Sequence, residues 1–218
     1  MNSQIIQLLV LAAIAVFLIL RLRDVLGTRD GFEDTENKQS RGPSGPAVNL
    51  QVIEGRPDPD IVDNIDPEDP AVPALEAMKR TDRDFSITEF LEGAKGAYEM
   101  ILMAFENGEL ADVQPFLSED VYGAFAGVVE DRASKGLTIE ANFIGVREMA
   151  IKGARMDSAT KEAEIDIRFV SNLTSAVRDN AGDIIEGSTT VVKTQKDVWT
   201  FSRDMDADNP NWTLVATG

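Results

Sequence analysis

Three aspartates near the end of the chain have the residue type and spacing of a cation-binding loop. Asp204, Asp206 and Asp208 lie in the stretch RDMDADNP, where carboxylates alternate as they do in calcium sites. A calcium loop of the EF-hand type also needs a glycine at its sixth position and a glutamate at its twelfth. Counted from Asp204, those positions hold Asn209 and Val215. We therefore predict a polar turn in this stretch and no metal site in the protein.

The composition removes most other routes to catalysis. The chain contains no histidine and no cysteine. Histidine is the usual general base and a frequent metal ligand, and cysteine supplies thiolate nucleophiles, disulfides and structural zinc sites. Gly93 and Gly96 fall within a predicted helix, whereas a phosphate-binding loop follows a strand. We predict no catalytic residue and no cofactor, and we expect that the protein is not an enzyme.

The charge of the chain limits its partners. A formal net charge of -17 repels phosphate backbones, so nucleic acid is not an expected partner, whereas basic proteins are compatible with it. Four residues of the predicted sheet are candidates for ion pairs on a solvated face: Arg168, Arg178, Arg203 and Asp197. Such pairs contribute about 0–1 kcal/mol each and do not by themselves indicate a functional site.

Aromatic residues are the remaining candidates for binding. A ligand or peptide pocket between helices and sheet is predicted to be lined by Phe90, Tyr98, Phe125, Phe143, Phe169 and Trp199. For each of them alone, a place in the hydrophobic core is the competing interpretation. Both interpretations stay open, because binding pockets are commonly concave and lined by apolar and aromatic side chains.

The chain opens with an apolar run that predicts a membrane anchor. Between residues 5 and 20 only Gln7 interrupts the run, and a transmembrane helix needs about 20 such residues. A secretory signal peptide would have basic residues before the run, but Arg21 and Arg23 follow it. A buried helix of a soluble protein is disfavoured, because the run is apolar on every face. We predict an uncleaved anchor in residues 1–26 and, since Arg29 adds a third positive charge after it, a cytoplasmic C-terminal domain.

Residues 27–83 are predicted to be a flexible linker. They include GPSGP, GRPDPD and DNIDPEDPAVP, which are rich in proline, glycine and acids and lack a hydrophobic period. Such a segment buries too little apolar surface to offset the entropy lost on ordering. Within it, ALEAMK at residues 74–79 is either a short helix or docking segment, or a transient turn.

Residues 84–218 are predicted to form the folded domain, which begins with two helices. Ser86 and Glu89 form a capping box before the first helix. Its apolar residues recur at three- and four-residue spacing until Gly108. Ser118 caps the second helix, and Gly136 ends it.

After residue 136 the hydrophobic period changes to two, which predicts strands. In AEIDIRFV, apolar residues alternate with Glu164, Asp166 and Arg168, whereas LTIEANFIGVREMAIKGARM alternates loosely, as a bulged strand does. Turns are predicted at residues 156–161 and 179–183. The last strand, NWTLVAT, is predicted to place Trp212 inward as a partner of Trp199. Helices followed by an antiparallel meander give an α+β domain, with helices packed on one face of a curved sheet.

Four segments together resemble the Tim44-like domain family: FSITEFLEGAKGAYEMILMAFENGEL, FLSEDVYGAF, GDIIEG and DVWTFSRDMDADNPNWTLVATG. Bacterial members of the TimA type look closest, because they join the domain to an N-terminal membrane anchor through a linker. The resemblance covers residues 84–218 and that layout. It implies a cone of the nuclear-transport-factor-two-like kind, in which helices pack on a strongly curved antiparallel sheet around an apolar cavity.

The resemblance also implies a function. It indicates a non-catalytic adaptor or scaffold in the bacterial inner (plasma) membrane, with a single membrane pass and a cytoplasmic C-terminal domain. The expected partners are the membrane itself and a protein, either a chaperone or a membrane protein, in protein transport or biogenesis. The alternative is a protein that binds a lipid or small molecule, or a cryptic enzyme, with the site in the cavity of the cone.

Overall fold

The computed structural model describes residues 58–218, in which helices come first and strands follow. The α-helices are α1 (Pro59–Val62), α2 (Val72–Thr81), α3 (Ile87–Asn107) and α4 (Glu119–Ser134), and a 3₁₀ helix (Gln114–Phe116) precedes α4. The strands are β1 (Thr138–Met156), β2 (Glu162–Arg178), β3 (Ile184–Asp204) and β4 (Thr213–Thr217). They form one antiparallel sheet in the order β1-β2-β3-β4. The predicted α+β class and antiparallel meander are confirmed.

The long helix α3 supplies most of the layer that covers the sheet. It begins as predicted, with the Ser86 hydroxyl accepting the amide of Glu89, and it ends at Gly108, whose φ of 76° is left-handed. Its buried residues recur on one face and comprise Ile87, Phe90, Ala94, Tyr98, Ile101 and Leu102. They join the inward side chains of the sheet in one hydrophobic core.

Strand β2 lies in the middle of the sheet, and its first half has one buried and one polar face. From Ala163 to Phe169 the buried residues alternate as predicted: Ala163, Ile165, Ile167 and Phe169. On the opposite face Arg168 lies 2.9 Å from Glu148, and Asp166 lies 3.2 Å from Arg155. Register shifts interrupt the pairing of β1 with β2 at three positions, which agrees with the bulged strand predicted there.

The folded unit begins before the predicted boundary at residue 84. Helices α1 and α2 lie within the predicted linker, and Ile61, Leu75 and Met78 are buried in the core. The flexible linker is therefore a wrong prediction for residues 58–83, and ALEAMK forms part of α2. The prolines misled the prediction, because Pro59 and Pro73 lie in the first turns of the two helices, where no amide hydrogen bond is lost.

The predicted anchor (residues 1–26) and the first part of the predicted linker (residues 27–57) lie outside the described residues. Both stay predictions from the sequence. Across residues 58–218, none of the helices has both the length and the apolar character that a membrane span requires.

Candidate functional site

An open groove of about 510 Å³ runs along the first half of α3. One wall is the turn between α2 and α3, and the other is formed by the end of β3 and the segment that precedes β4. Five aromatic residues line the groove and define what we call the aromatic groove: Phe85, Phe90, Phe116, Phe201 and Trp212.

Trp212 makes several of the aromatic contacts in this groove. Its ring centroid lies 4.6 Å from that of Phe90 and 5.7 Å from that of Phe85. Phe90 also meets Phe201 edge to face at 6.0 Å. Aromatic pairs of this kind contribute about 0.5–1.5 kcal/mol beyond the burial of their area. Because Trp212 and Met100 stay partly exposed, the groove presents apolar surface to solvent.

Polar residues form the rim of the aromatic groove. The guanidinium of Arg203 donates to Oδ2 of Asp82 at 2.8 Å and to the carbonyl of Asn209 at 3.1 Å. Arg203 therefore joins the turn before α3 to the segment before β4, which are the two walls. Asp84 and Glu89 are exposed on the same rim. The groove thus offers two solvated carboxylates to a ligand, whereas the guanidinium of Arg203 is already hydrogen-bonded within the protein.

Asp60 attaches the start of α3 to the preceding helices. Its carboxylate accepts the amides of Ile87 at 2.7 Å and Thr88 at 3.0 Å, and Nζ of Lys79 lies 2.7 Å away. We call these four residues the Asp60 clamp. Burial alone would raise the pKa of Asp60, but the hydrogen bonds from Lys79, Ile87 and Thr88 outweigh it and hold the pKa well below its usual range. The clamp fixes the helix end from which the groove wall begins.

The structure separates two of the six predicted pocket residues from the others. Phe90 lines the aromatic groove. Phe125, on α4, packs instead against Phe105 with the ring centroids 4.6 Å apart, and the guanidinium of Arg132 lies 4.4 Å from the centre of the Phe105 ring. Phe125 is not among the residues that line the aromatic groove.

The other four predicted pocket residues lie together and form a core aromatic cluster. Tyr98 stacks on Phe169 with the ring centroids 4.2 Å apart. The ring of Tyr98 also lies 4.7 Å from Trp199 and 6.1 Å from Phe143. Tyr98, Phe169 and Trp199 are buried, and Phe143 is half-buried. None of the four is among the residues that line the aromatic groove.

A polar network lies within the core aromatic cluster. The hydroxyl of Tyr98 donates to Oδ2 of Asp197 at 2.5 Å, and its oxygen lies 2.8 Å from Oγ of Ser171. The side-chain amide of Gln195 donates to Oδ1 of Asp197 at 3.2 Å. Burial, together with the hydrogen bond to Asp197, raises the pKa of Tyr98 far above its usual value, so the phenol stays neutral beyond the pH at which an exposed tyrosine ionises.

The predicted ion-pair residues behave in two ways. Arg168, Arg178 and Arg203 each lie 2.7–2.9 Å from a carboxylate, but the Arg203 pair with Asp82 is largely buried and does not lie on the solvated face that was predicted. Asp197 instead accepts the hydrogen bond from Tyr98. A sequence pattern could not reveal this contact, because the two residues are 99 positions apart and belong to different elements.

The aspartate-rich stretch forms a turn, as predicted. Oδ1 of Asp204 accepts the amide of Asp206 at 2.9 Å. Oδ1 of Asn209 accepts the amide of Asn211 at 3.1 Å. These local hydrogen bonds between side chain and backbone are typical of polar turns.

Three groove residues lie outside the periodic parts of helices and strands. Phe85 lies in a turn, Phe116 in the 3₁₀ helix and Trp212 before β4, so hydrophobic periodicity did not identify them as groove residues. Trp199 is buried and Trp212 packs against the core, as predicted, but Trp199 pairs with Thr217 and not with Trp212. Pro210 was the available signal, because proline interrupts strand pairing just before Trp212.

Comparisons with known proteins give a matching family and a number of similar solved structures. The model of a family described as "Tim44-like domain" matches residues 72–218, which include α2 and all that follows. One of these solved structures is the intermembrane space region of the chloroplast protein ARC6. It has a TM-score of 0.41 and 10% sequence identity, and the match covers 59% of this chain and 94% of that one. No curated protein sequence matches the chain.

The family match confirms the resemblance that the sequence segments indicated, and it extends the domain toward the N-terminus. The matched region contains the aromatic groove, the core aromatic cluster and the complete sheet. It makes up more than half of the chain. The chain therefore belongs to the Tim44-like domain family.

Proposed function

We propose that the protein is a non-catalytic adaptor tethered to a membrane, and that its Tim44-like domain binds a segment of another protein in the aromatic groove. One observation carries the proposal: five aromatic side chains line an open groove of about 510 Å³. Its walls are joined by Arg203, and its helix end is held by the Asp60 clamp. Binding to a preformed groove avoids part of the entropy cost of ordering it. In this proposal the groove is the mouth of the cone expected for the family.

The rim indicates the chemistry of the bound segment. Asp84 and Glu89 are exposed beside the apolar lining, and the chain carries a formal net charge of -17. A segment with apolar side chains and nearby lysines or arginines complements both features. An amphipathic helix that lays its apolar face into such a groove is a common recognition mode.

The membrane tether and its orientation rest on the sequence. Residues 5–20 are long and apolar enough for one transmembrane helix, and Arg21 and Arg23 after it favour a cytoplasmic domain. We place the protein in the bacterial inner membrane as a single-pass protein. A chaperone or a membrane protein would supply the bound segment, in protein transport or biogenesis.

Peptide binding by the full-length chain in detergent tests the proposal. The probe is a fluorescent amphipathic peptide with leucine and phenylalanine on one face and lysine on the other. A matched peptide has glutamate in place of each lysine. We expect saturable binding of the basic peptide, weaker binding at high salt, and about tenfold weaker binding of the acidic peptide. Equal binding of the two peptides would contradict the proposed rim recognition.

The alternative function is that of a carrier for a lipid or small molecule, and the volume of the groove is compatible with such a ligand. Its volume of about 510 Å³ lies within the range of about 300–1,000 Å³ that small-molecule sites have. Native mass spectrometry of the same sample separates the two functions. A retained lipid or metabolite, together with no binding of either peptide, would favour the carrier. An enzyme that uses Tyr98 and Asp197 has less support, because neither residue lines the groove.

A further inference from the structure

Two glycines lie within α3 on the side that faces the aromatic groove. Gly93 and Gly96 both line the groove, and both are exposed. Apart from proline, glycine is the least favourable residue in the interior of a helix, because its backbone loses the most conformational freedom there. A glycine at such a position is expected to have a compensating use, either in the backbone or in packing.

Neither the backbone of α3 nor the packing of the domain accounts for these glycines. Gly93 and Gly96 have no positive φ, in contrast to Gly108 at the end of the same helix. Within residues 58–218, a Cβ atom at either position would have no atom within 4 Å apart from adjacent residues and the α3 backbone. Alanine would therefore fit both positions. The space that the two glycines leave open belongs to the groove.

The glycines occupy the centre of one side of α3. Four exposed groove residues follow one another at a spacing of three or four positions: Glu89, Gly93, Gly96 and Met100. At that spacing they share one side of the helix. At 1.5 Å per residue they extend over about 16 Å, or about three helical turns. At the centre of this length the wall of the groove consists of main chain without side chains.

This wall favours a helical ligand over an extended one. Ile87–Asn107 form one continuous α-helix, so the backbone N–H and C=O groups along the groove are hydrogen-bonded within α3. Trp212, on the other wall, does not take part in the pairing of β3 with β4. An extended segment would find no strand to pair with in these walls, whereas a helix satisfies its own backbone groups.

We propose, resting on the function proposed for the aromatic groove, that the bound segment is an amphipathic helix in direct contact with the main chain of Gly93 and Gly96. Packed helices lie about 8–10 Å apart, depending on the side chains between them. Glycine at the contact lets the two backbones approach most closely. The two glycines thus admit a helix that a pair of methyl groups would hold away from the aromatic side chains.

The charges along α3 indicate which residues the bound helix carries at each end of the contact. Asp84 and Glu89 are exposed near the start of α3, and Met100 is exposed at the other end. Lysines of the bound helix therefore complement the start of α3, and its apolar side chains complement Met100. A basic amphipathic helix of about three turns satisfies both ends.

Alanine substitutions test the close contact. The groove variant carries Gly93→Ala and Gly96→Ala, and the matched control carries Gly123→Ala and Gly127→Ala on α4. Within the described residues the control glycines are also exposed with open space around a Cβ, and they do not line the groove. Because alanine favours a helix more than glycine does, both variants should unfold at a higher urea concentration than the wild type.

Binding of the fluorescent basic amphipathic peptide to the full-length chain in detergent distinguishes the two variants. We expect the groove variant to raise the dissociation constant about tenfold, because its methyl groups occupy the contact, and the control variant to leave it unchanged. Equal or tighter binding by the groove variant would overturn the close contact. A lower urea midpoint of the groove variant would also overturn it, since the glycines would then be required inside the protein.

A proline in the peptide tests the helical conformation. One central lysine of the basic peptide is replaced by proline, and in the matched peptide the same lysine is replaced by alanine. Both peptides lose one charge, but only proline interrupts a helix, so we expect about tenfold weaker binding of the proline peptide. Equal binding of the two peptides would overturn the helical conformation.

The wild-type chain separates the two possible failures. If it binds no peptide, the function proposed for the groove is wrong, and the close contact with a helix is wrong with it. If it binds the basic peptide while the groove variant and the proline peptide behave like their controls, the proposed function stands and only the helical contact with Gly93 and Gly96 is wrong.

Discussion

The Arg203 guanidinium and the Asp82 carboxylate meet at 2.8 Å although they are 121 positions apart in the sequence. Asp82 ends α2, and Arg203 lies near the end of β3. The pair therefore connects the early helices, which lie in the segment predicted to be a linker, with the sheet. It also fixes the distance between the two walls of the aromatic groove.

Arg203→Gln should destabilise the domain. The two side chains are only 9% and 19% exposed, and removing one partner of a buried pair leaves an unpaired charge, so we expect a loss of about 3 kcal/mol in the free energy of unfolding. Urea unfolding measures it. The control is Arg155→Gln, since the Arg155 side chain is 54% exposed and its pairs should contribute only about 0–1 kcal/mol. Equal losses in the two variants would show that the Arg203 pair is not a structural link.

Asp60→Asn should weaken the attachment of α1 and α2 to α3. The pKa of Asp60 is held below its ordinary value of 3.8, so its stabilisation is fully present above that pH and is lost as the pH falls below it. We expect a loss of about 1–3 kcal/mol at neutral pH, and a difference from the wild type that shrinks in acid. Urea unfolding of both proteins at neutral pH and in acid measures the two differences. The control Asp63→Asn changes an exposed carboxylate at the end of α1 and should have little effect.

Tyr98→Phe should remove a source of instability at high pH. Burial raises the pKa of Tyr98 above the ordinary value of 10.0, so the native state favours the neutral phenol, and its contribution to stability is lost as the pH rises above about 10. The variant should be about 1–3 kcal/mol less stable at neutral pH, because Asp197 and Ser171 lose a partner. Its stability should then fall less steeply in alkali.

Tyr122→Phe is the control for that experiment, since Tyr122 is the second of two tyrosines and is partly exposed. An identical alkaline profile for wild type and Tyr98→Phe would show that the buried network does not favour the neutral phenol. Unfolding midpoints in urea between neutral and alkaline pH provide the comparison.

Local and periodic signals in the sequence were sufficient for much of the fold. The Ser86 cap, which accepts the Glu89 amide, and the alternation around Ile165 each depend on neighbouring residues, so they can be identified without tertiary structure. The helices α1 and α2 could not be identified in this way. Asp60 attaches them to α3 by accepting the amides of Ile87 and Thr88, which follow it by 27 and 28 positions. Contacts between residues so far apart leave no local pattern in the sequence.

The candidate site was less accessible to prediction than the fold. Of the six predicted pocket residues, Phe90 alone lines the groove. Hydrophobic periodicity shows which residues of a helix or strand are buried, but it does not show whether a buried residue lies in the core or in the wall of a groove. Phe85 and Trp212 come from segments that flank regular elements. Only the packing of those segments on α3 brings their rings to within 5.7 Å of each other.

The two tryptophans should respond differently to substitution and to quenchers. Trp199 is buried in the core aromatic cluster, so Trp199→Ala should cost about 3–5 kcal/mol of unfolding free energy. Trp212 is half-buried on the groove wall, and Trp212→Ala should cost less. In single-tryptophan variants made with phenylalanine, acrylamide should quench Trp212 and spare Trp199. The reverse order of quenching would contradict the assignment of Trp212 to the groove.

The affinity of the basic amphipathic peptide for Met100→Lys tests the groove as a binding site most directly. Met100 lines the groove and is 41% exposed, so the substitution changes the groove surface without opening the core. Val128→Lys is the matched control, because Val128 is 43% exposed on α4 and is not a groove residue. We predict that Met100→Lys raises the dissociation constant about tenfold, through lost apolar contact and added repulsion, and that Val128→Lys leaves it unchanged. Equal affinities for the two variants would contradict binding in the aromatic groove.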